Sequence, residues 1–336
     1  MTSFRIETVA VSRYRSEIMG FAMLAIILFH VRLPRADLFY GLCRMGNVGV
    51  DMFLFLSGIG LWFSWCKLPS FRSFYLHRCR RIYPTWLIMS GLFYIPRFLH
   101  GSHSFNEWLN LLGNLLCGSG FWLYGDLTFW YVPAIMLLYV FAPFYMQLLK
   151  RSRRFAYLPL LVVLWCFVVQ YCPAVHSRLG YLEIFWSRIP IFLIGINFGE
   201  IVKRKVVLQG LKAQSLLPVF ILILALCVYL EQTKHGCFPL FYERLLYIPM
   251  SISGMLLLGK CLSHASTFLN EGLAFVGTVC LECYLIHEHF VLPPLRSLNW
   301  GYWGTALSCI AISLPLSWAL HKVLTLLVKS LEHSRI

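Results

Sequence analysis

Read for hydropathy, the chain is a succession of apolar stretches of spanning length broken by short polar segments. Ten spans are predicted, over 18–32, 48–65, 84–99, 127–149, 155–172, 184–202, 216–230, 240–260, 273–292 and 301–328. The stretch 108–117 is apolar but too short to cross and is placed at the interface. No loop is long enough to fold alone, and there is no internal repeat. The expected architecture is all-α: a polytopic membrane helical bundle of about ten transmembrane helices, forming one domain over 1–336. No cleavable leader is expected, because no small-residue cleavage site follows the first apolar stretch.

Composition enforces the same conclusion. Of the 336 residues, 59% are hydrophobic and 13% charged, against roughly 45–50% and about 25% in soluble domains. A soluble chain of this length has no interior large enough for that much apolar surface, so the bilayer is its solvent. The net charge of +15 then reads as basic residues flanking membrane spans rather than as a nucleic-acid surface. The cysteines lie mostly inside apolar segments, where cysteine behaves as a small hydrophobe. Cys280 and Cys283 form a lone pair within a predicted span, and no metal site is expected from them.

The charge distribution tests the span count. With ten spans and a cytoplasmic N-terminus, the inner loops and both termini hold Arg5, Arg13, Arg15, Lys67, Arg72, Arg78, Arg80, Arg81, Lys150, Arg151, Arg153 and Arg154. They also hold Lys203, Arg204, Lys205, Lys212, Lys260, Lys322, Lys329 and Arg335. That is 20 of the 29 basic residues, the bias expected of cytoplasmic loops. Miscounting by one span would reverse every later loop and destroy the agreement.

An ionisable group at membrane depth costs about 2.5–3.5 kcal/mol on insertion scales, so each one needs a partner or a function. His30 lies near the outer end of span 1, and Asp51 lies just inside the outer end of the antiparallel span 2. An aspartate can hold a histidine tautomer and make the ring a better base; equally, such a pair can pin two helices. Around Asp51 stand Gly46, Gly49, Ser57 and Gly58, small residues that allow close helix packing or leave room for a ligand. Arg78 and Arg81, spaced i, i+3 ahead of Pro84, share a face if helical. They suit a phosphate or serve only to set topology. Arg188 opens span 6, and Glu282 sits near mid-depth in span 9, seven residues from His289 and on its helical face. His287 and His289 point to different faces at i, i+2, which argues against a metal.

At these residues the chain resembles the membrane-bound acyltransferase 3 family, whose members O-acylate sugars of surface polysaccharides and lipopolysaccharides. The resemblance covers nearly the whole chain. It includes Ala22–His30 ending in Leu28-Phe29-His30, Gly49-Val50-Asp51-Met52-Phe53-Leu54 with Ser57-Gly58, and Arg78 to Pro84. Trp130-Tyr131, Arg188 to Gly195 and Tyr284-Leu285-Ile286-His287 match further positions. One position departs: many members carry Arg or Lys eleven residues before the span-1 histidine, where this chain has Met19, with Arg15 one turn earlier.

The resemblance implies acetyl-CoA or another acyl-CoA as co-substrate, with its phosphates on Arg78 and Arg81 and its pantetheine arm reaching into the bundle. It implies His30 as general base or acyl carrier, oriented by Asp51. It places Arg188, Glu282 and His287 around a carbohydrate or glycolipid acceptor, at the outer face of a bacterial inner membrane. The rival from another class is a transporter or flippase for a lipid-linked sugar. Such proteins often show inverted repeats, and none is found here. A third reading, a non-catalytic assembly protein, would need neither His30 nor the arginine pair.

Overall fold

The computed structural model describes residues 5–101 and 103–333; Arg335 and the side chain of Lys329 lie outside the described residues. The principal helices, numbered in chain order, are α1 (Arg15–Val31), α2 (Val48–Lys67), α3 (Phe71–Leu99), α4 (Tyr131–Arg151), α5 (Leu158–Tyr171) and α6 (Ile189–Lys203). They continue as α7 (Leu216–Thr233), α8 (Phe241–Leu262), α9 (Thr267–Thr278), α10 (Cys280–Ile286) and α11 (Gly301–His333). The predicted stretch 108–117 falls in an amphipathic helix, Phe105–Cys117. By length and composition, six helices can cross a membrane, or up to eight if each of two bent pairs is one span.

The departures from ten regular spans have local causes. The predicted span 84–99 belongs to α3, which starts at Phe71 on a cap in which the Ser70 hydroxyl accepts from Ser73 N at 3.4 Å. Pro84 is therefore interior, and Arg78 and Arg81 lie on a helix rather than in a loop. The predicted span 273–292 is α9 and α10, bent by 62° at Val279. A π-helical turn, His287–Val291, follows and leads into the short Leu292–Ser297 helix.

α2 is the central helix. Every residue from Val48 to Ile59 is buried, so its apolar surface faces protein on all sides. α7 shows the opposite: Leu217, Ile221, Leu222 and Leu226 are exposed, as on a lipid-facing helix. The glycines before and within α2 serve packing. A Cβ at Gly46 would sit 2.2 Å from the Ala25 carbonyl oxygen, and one at Gly49 2.5 Å from that of Ala22. Those positions let α1 and α2 touch through their backbones and leave no ligand space there.

One feature was not foreseen. Arg5–Glu7 pairs antiparallel with Val207–Gln209 as a two-stranded ladder. Thr8 Oγ1 donates to the Val206 carbonyl at 2.8 Å, and Lys260 Nζ donates to the Arg5 carbonyl at 2.9 Å. Three segments predicted on one side of the membrane thus meet at one end of the bundle, the arginine end. At the other, histidine end, Arg35 donates to the His235 carbonyl at 3.2 Å and Gln232 Nε2 to that of Asp37 at 3.0 Å.

Candidate active site

His30 occupies the last turn of α1, and the π-helical turn brings two further polar groups to its ring. His30 Nδ1 lies 2.8 Å from His287 Nε2, and His30 Nε2 lies 3.3 Å from Glu288 Oε2. His287 is fully buried, and its Nδ1 lies 2.8 Å from the Cys283 carbonyl oxygen. That oxygen can only accept, so His287 carries its proton on Nδ1 and presents a lone pair at Nε2. His30 must then donate from Nδ1, which leaves its Nε2 as the basic atom. One backbone carbonyl thus assigns both tautomers. The last proton site of the chain lies between His30 Nε2 and Glu288. Arg296 donates to the His30 carbonyl.

A π-helical turn carries an extra residue relative to an α-turn and is frequent at functional sites. Here it sets the histidine cluster apart from the helical face expected from the sequence. His289 packs on Phe129, with ring centroids 4.4 Å apart. Glu282 turns to α11, where its Oε1 lies 3.0 Å from His321 Nδ1. The expectation that Glu282 and His289 share a helical face is therefore corrected.

Asp51 requires a second correction. Its partner is Arg188, whose Nε stands 3.4 Å from Asp51 Oδ2, and both side chains are buried. Arg188 also donates from Nη2 to Asn47 Oδ1 at 2.8 Å and lies over the Trp130 ring at 5.1 Å. Among the described residues, the groups on the His30 ring nitrogens are His287 and Glu288, not Asp51. The carboxylate expected to orient His30 instead ties α2 to the start of α6. Glu288 stands in its place, a residue the sequence displays without indicating its direction.

Toward the arginine end, a narrow cavity is lined by Arg15, Met19, Arg81, Tyr131, Tyr139 and Tyr284. Arg78 borders it, its guanidinium carbon 6.0 Å from the centre of the Tyr139 ring. Arg15 lies in the field of both Arg81 and Arg78. Among the described residues, none of the three has a carboxylate within ion-pair distance. Clustered cations without a counter-ion form an anion site. Tyr284 links the two regions: it lines the cavity, and its ring centre is 6.2 Å from that of His287.

A family model described as an acyltransferase domain, Acyl_transf_3, matches residues 19–322. The chain belongs to the acyltransferase 3 family. Neither the curated proteins nor the solved structures yield a match. The protein is thus an integral membrane acyltransferase. Of the acyltransferase residues read from the sequence, the fold brings His30 and His287 together and turns Arg81 toward a shared cavity with Arg15. It places Asp51 with Arg188 in a separate pair, and Glu282 elsewhere.

Proposed function

We propose that the protein is an O-acyltransferase that moves an acyl group, acetyl by default, from a cytoplasmic acyl-CoA to a hydroxyl of a carbohydrate or glycolipid on the outer side. The observation that carries this reading is the path from three uncompensated arginines, past Tyr284, to a histidine pair with one basic nitrogen left over. The arginine end and both termini then face the cytoplasm of a bacterial inner membrane.

Arg15, Arg78 and Arg81 hold the phosphates of the acyl-CoA, with Arg15 supplying the charge absent at Met19. The cavity measures about 60 Å³, room for waters only, so Tyr131, Tyr139 and Tyr284 must turn aside to admit a pantetheine arm. His30 Nε2 takes the proton of the acceptor hydroxyl as its oxygen attacks the thioester carbonyl. The acyl–oxygen bond forms and the acyl–sulfur bond breaks. His30 then returns the proton to the departing thiolate. His287 keeps the His30 tautomer fixed throughout, and Glu288 stabilises the transient imidazolium. Asp51 and Arg188 act on the site by position, holding α2 against the approach to the acceptor side.

The test is binding of acetyl-CoA to the purified protein in neutral detergent, read by thermal shift with CoA as control. Saturable stabilisation is expected. Arg81→Ala should weaken it about tenfold to a hundredfold, the worth of a hydrogen bond to a charged group. No stabilisation by any acyl-CoA would overturn the reading and favour transport of a lipid-linked sugar.

A further inference from the structure

A second cavity at the arginine end shares no lining residue with the one that holds Arg15 and Arg81. It lies between α2, α4 and α6 and measures about 530 Å³. Trp62, Leu149, Ile196 and Ile201 contribute apolar wall, while Lys150, Arg153, Lys203 and Arg204 contribute cations. Arg204 is engaged by Glu200, with Nε to Oε1 at 3.0 Å. Among the described residues, Lys150, Arg153 and Lys203 have no carboxylate within ion-pair distance.

The cavity is held in shape by its own hydrogen bonds. The Tyr145 hydroxyl donates to Asn197 Oδ1 at 2.8 Å, and Asn197 Nδ2 donates to the Ala156 carbonyl at 3.0 Å. The turn Arg153–Tyr157 is thereby fastened to α6. Trp62 packs on Gly199, which fixes the α2 side of the wall.

We propose that this cavity binds an anionic phospholipid, with its headgroup on Lys150, Arg153 and Lys203 and a hydrocarbon chain along the apolar wall. Two features select a lipid over a free anion. The wall runs out to exposed apolar side chains, Ile201 and Val206, where hydrocarbon continues it. The cations also stand at the ends of α4 and α6, the level at which headgroups lie and at which basic pockets between helices bind anionic lipids.

The experiment is native mass spectrometry of the purified protein in neutral detergent, titrated with phosphatidylglycerol or phosphatidylcholine. Wild type should hold one phosphatidylglycerol saturably, and neither inorganic phosphate nor CoA should displace it. Each basic residue near a membrane surface contributes about fivefold. Lys150→Gln with Arg153→Gln should therefore weaken retention about thirtyfold, while Arg151→Gln, outside the cavity, should match wild type. Equal retention of phosphatidylcholine, unchanged binding in the double variant, or displacement by inorganic phosphate (an anion site only) would each overturn the assignment.

Discussion

Two polar pairs, His30–His287 and Asp51–Arg188, lie within the bundle and are built in opposite ways. In the first, every ring nitrogen has a defined role, down to the carbonyl that fixes the tautomer, and one nitrogen remains basic. In the second, charge faces charge at 3.4 Å, yet among the described residues both Asp51 oxygens and two Arg188 nitrogens have no hydrogen-bond partner. Moving a proton demands an assigned tautomer and a reachable atom; holding two helices demands only that a buried charge be opposed. The same residue types, His and Asp, were expected to form one device. The fold separates them into a chemical device and a mechanical one.

Removing the base should give the largest effect on turnover. His30→Ala should lower acyl transfer about a hundredfold to ten-thousandfold, the usual worth of a positioned acid–base group, with unchanged insertion and thermal stability. Normal activity in that variant would merge the two pairs again, both as packing. Asp51→Ala should act the other way. It leaves Arg188 buried and unopposed, which costs about 3–5 kcal/mol of stability. A large drop in melting temperature is expected, with kcat largely kept in the folded fraction at low temperature. A loss of kcat without a loss of stability would instead restore Asp51 to the chemistry.

The contrast between these pairs also marks what the sequence could convey. Apolar runs place the helices, because hydrocarbon admits no alternative for the backbone. The positive loops grouped Arg5, the region around Val207 and Lys260, which the β-ladder and the hydrogen bond from Lys260 to the Arg5 carbonyl join at one end of the bundle. His30 and the arginine pair were visible as costly charges. What stayed hidden was direction. A helical wheel assumes 3.6 residues per turn, and the π-helical turn at His287–Val291 breaks that assumption. It carries His287 and Glu288 to His30 and leaves Glu282 to α11. Asp51 failed for a related reason: depth along a helix is legible from residue counting, but the facing neighbour depends on how α2 packs against α6.

The tautomer chain gives a finer cut. His287→Ala removes the acceptor for His30 Nδ1–H and frees the ring to rotate or change tautomer. About a tenfold to hundredfold loss in kcat is expected, as for a lost hydrogen bond to a group that becomes charged, with little change in KM for the acyl-CoA. His287→Gln should recover part of it, since the side-chain carbonyl can accept from Nδ1–H. Failure of Gln to exceed Ala would show that His287 acts by bulk rather than by fixing the proton.

The smallest effect should come from Glu282. Its Oε1 lies 3.0 Å from His321 Nδ1, on a side chain that is 36% exposed, and among the described residues it makes no hydrogen bond or ion pair with the histidine cluster. A partly solvated pair of this kind contributes about 0–1 kcal/mol. Glu282→Gln retains the size and one acceptor oxygen for His321, so transfer rates and stability should both stay near wild type. A strong loss of activity from this conservative change would mean that α10 turns toward the acceptor during turnover. The mechanical and chemical halves of the protein would then exchange a residue in the catalytic cycle.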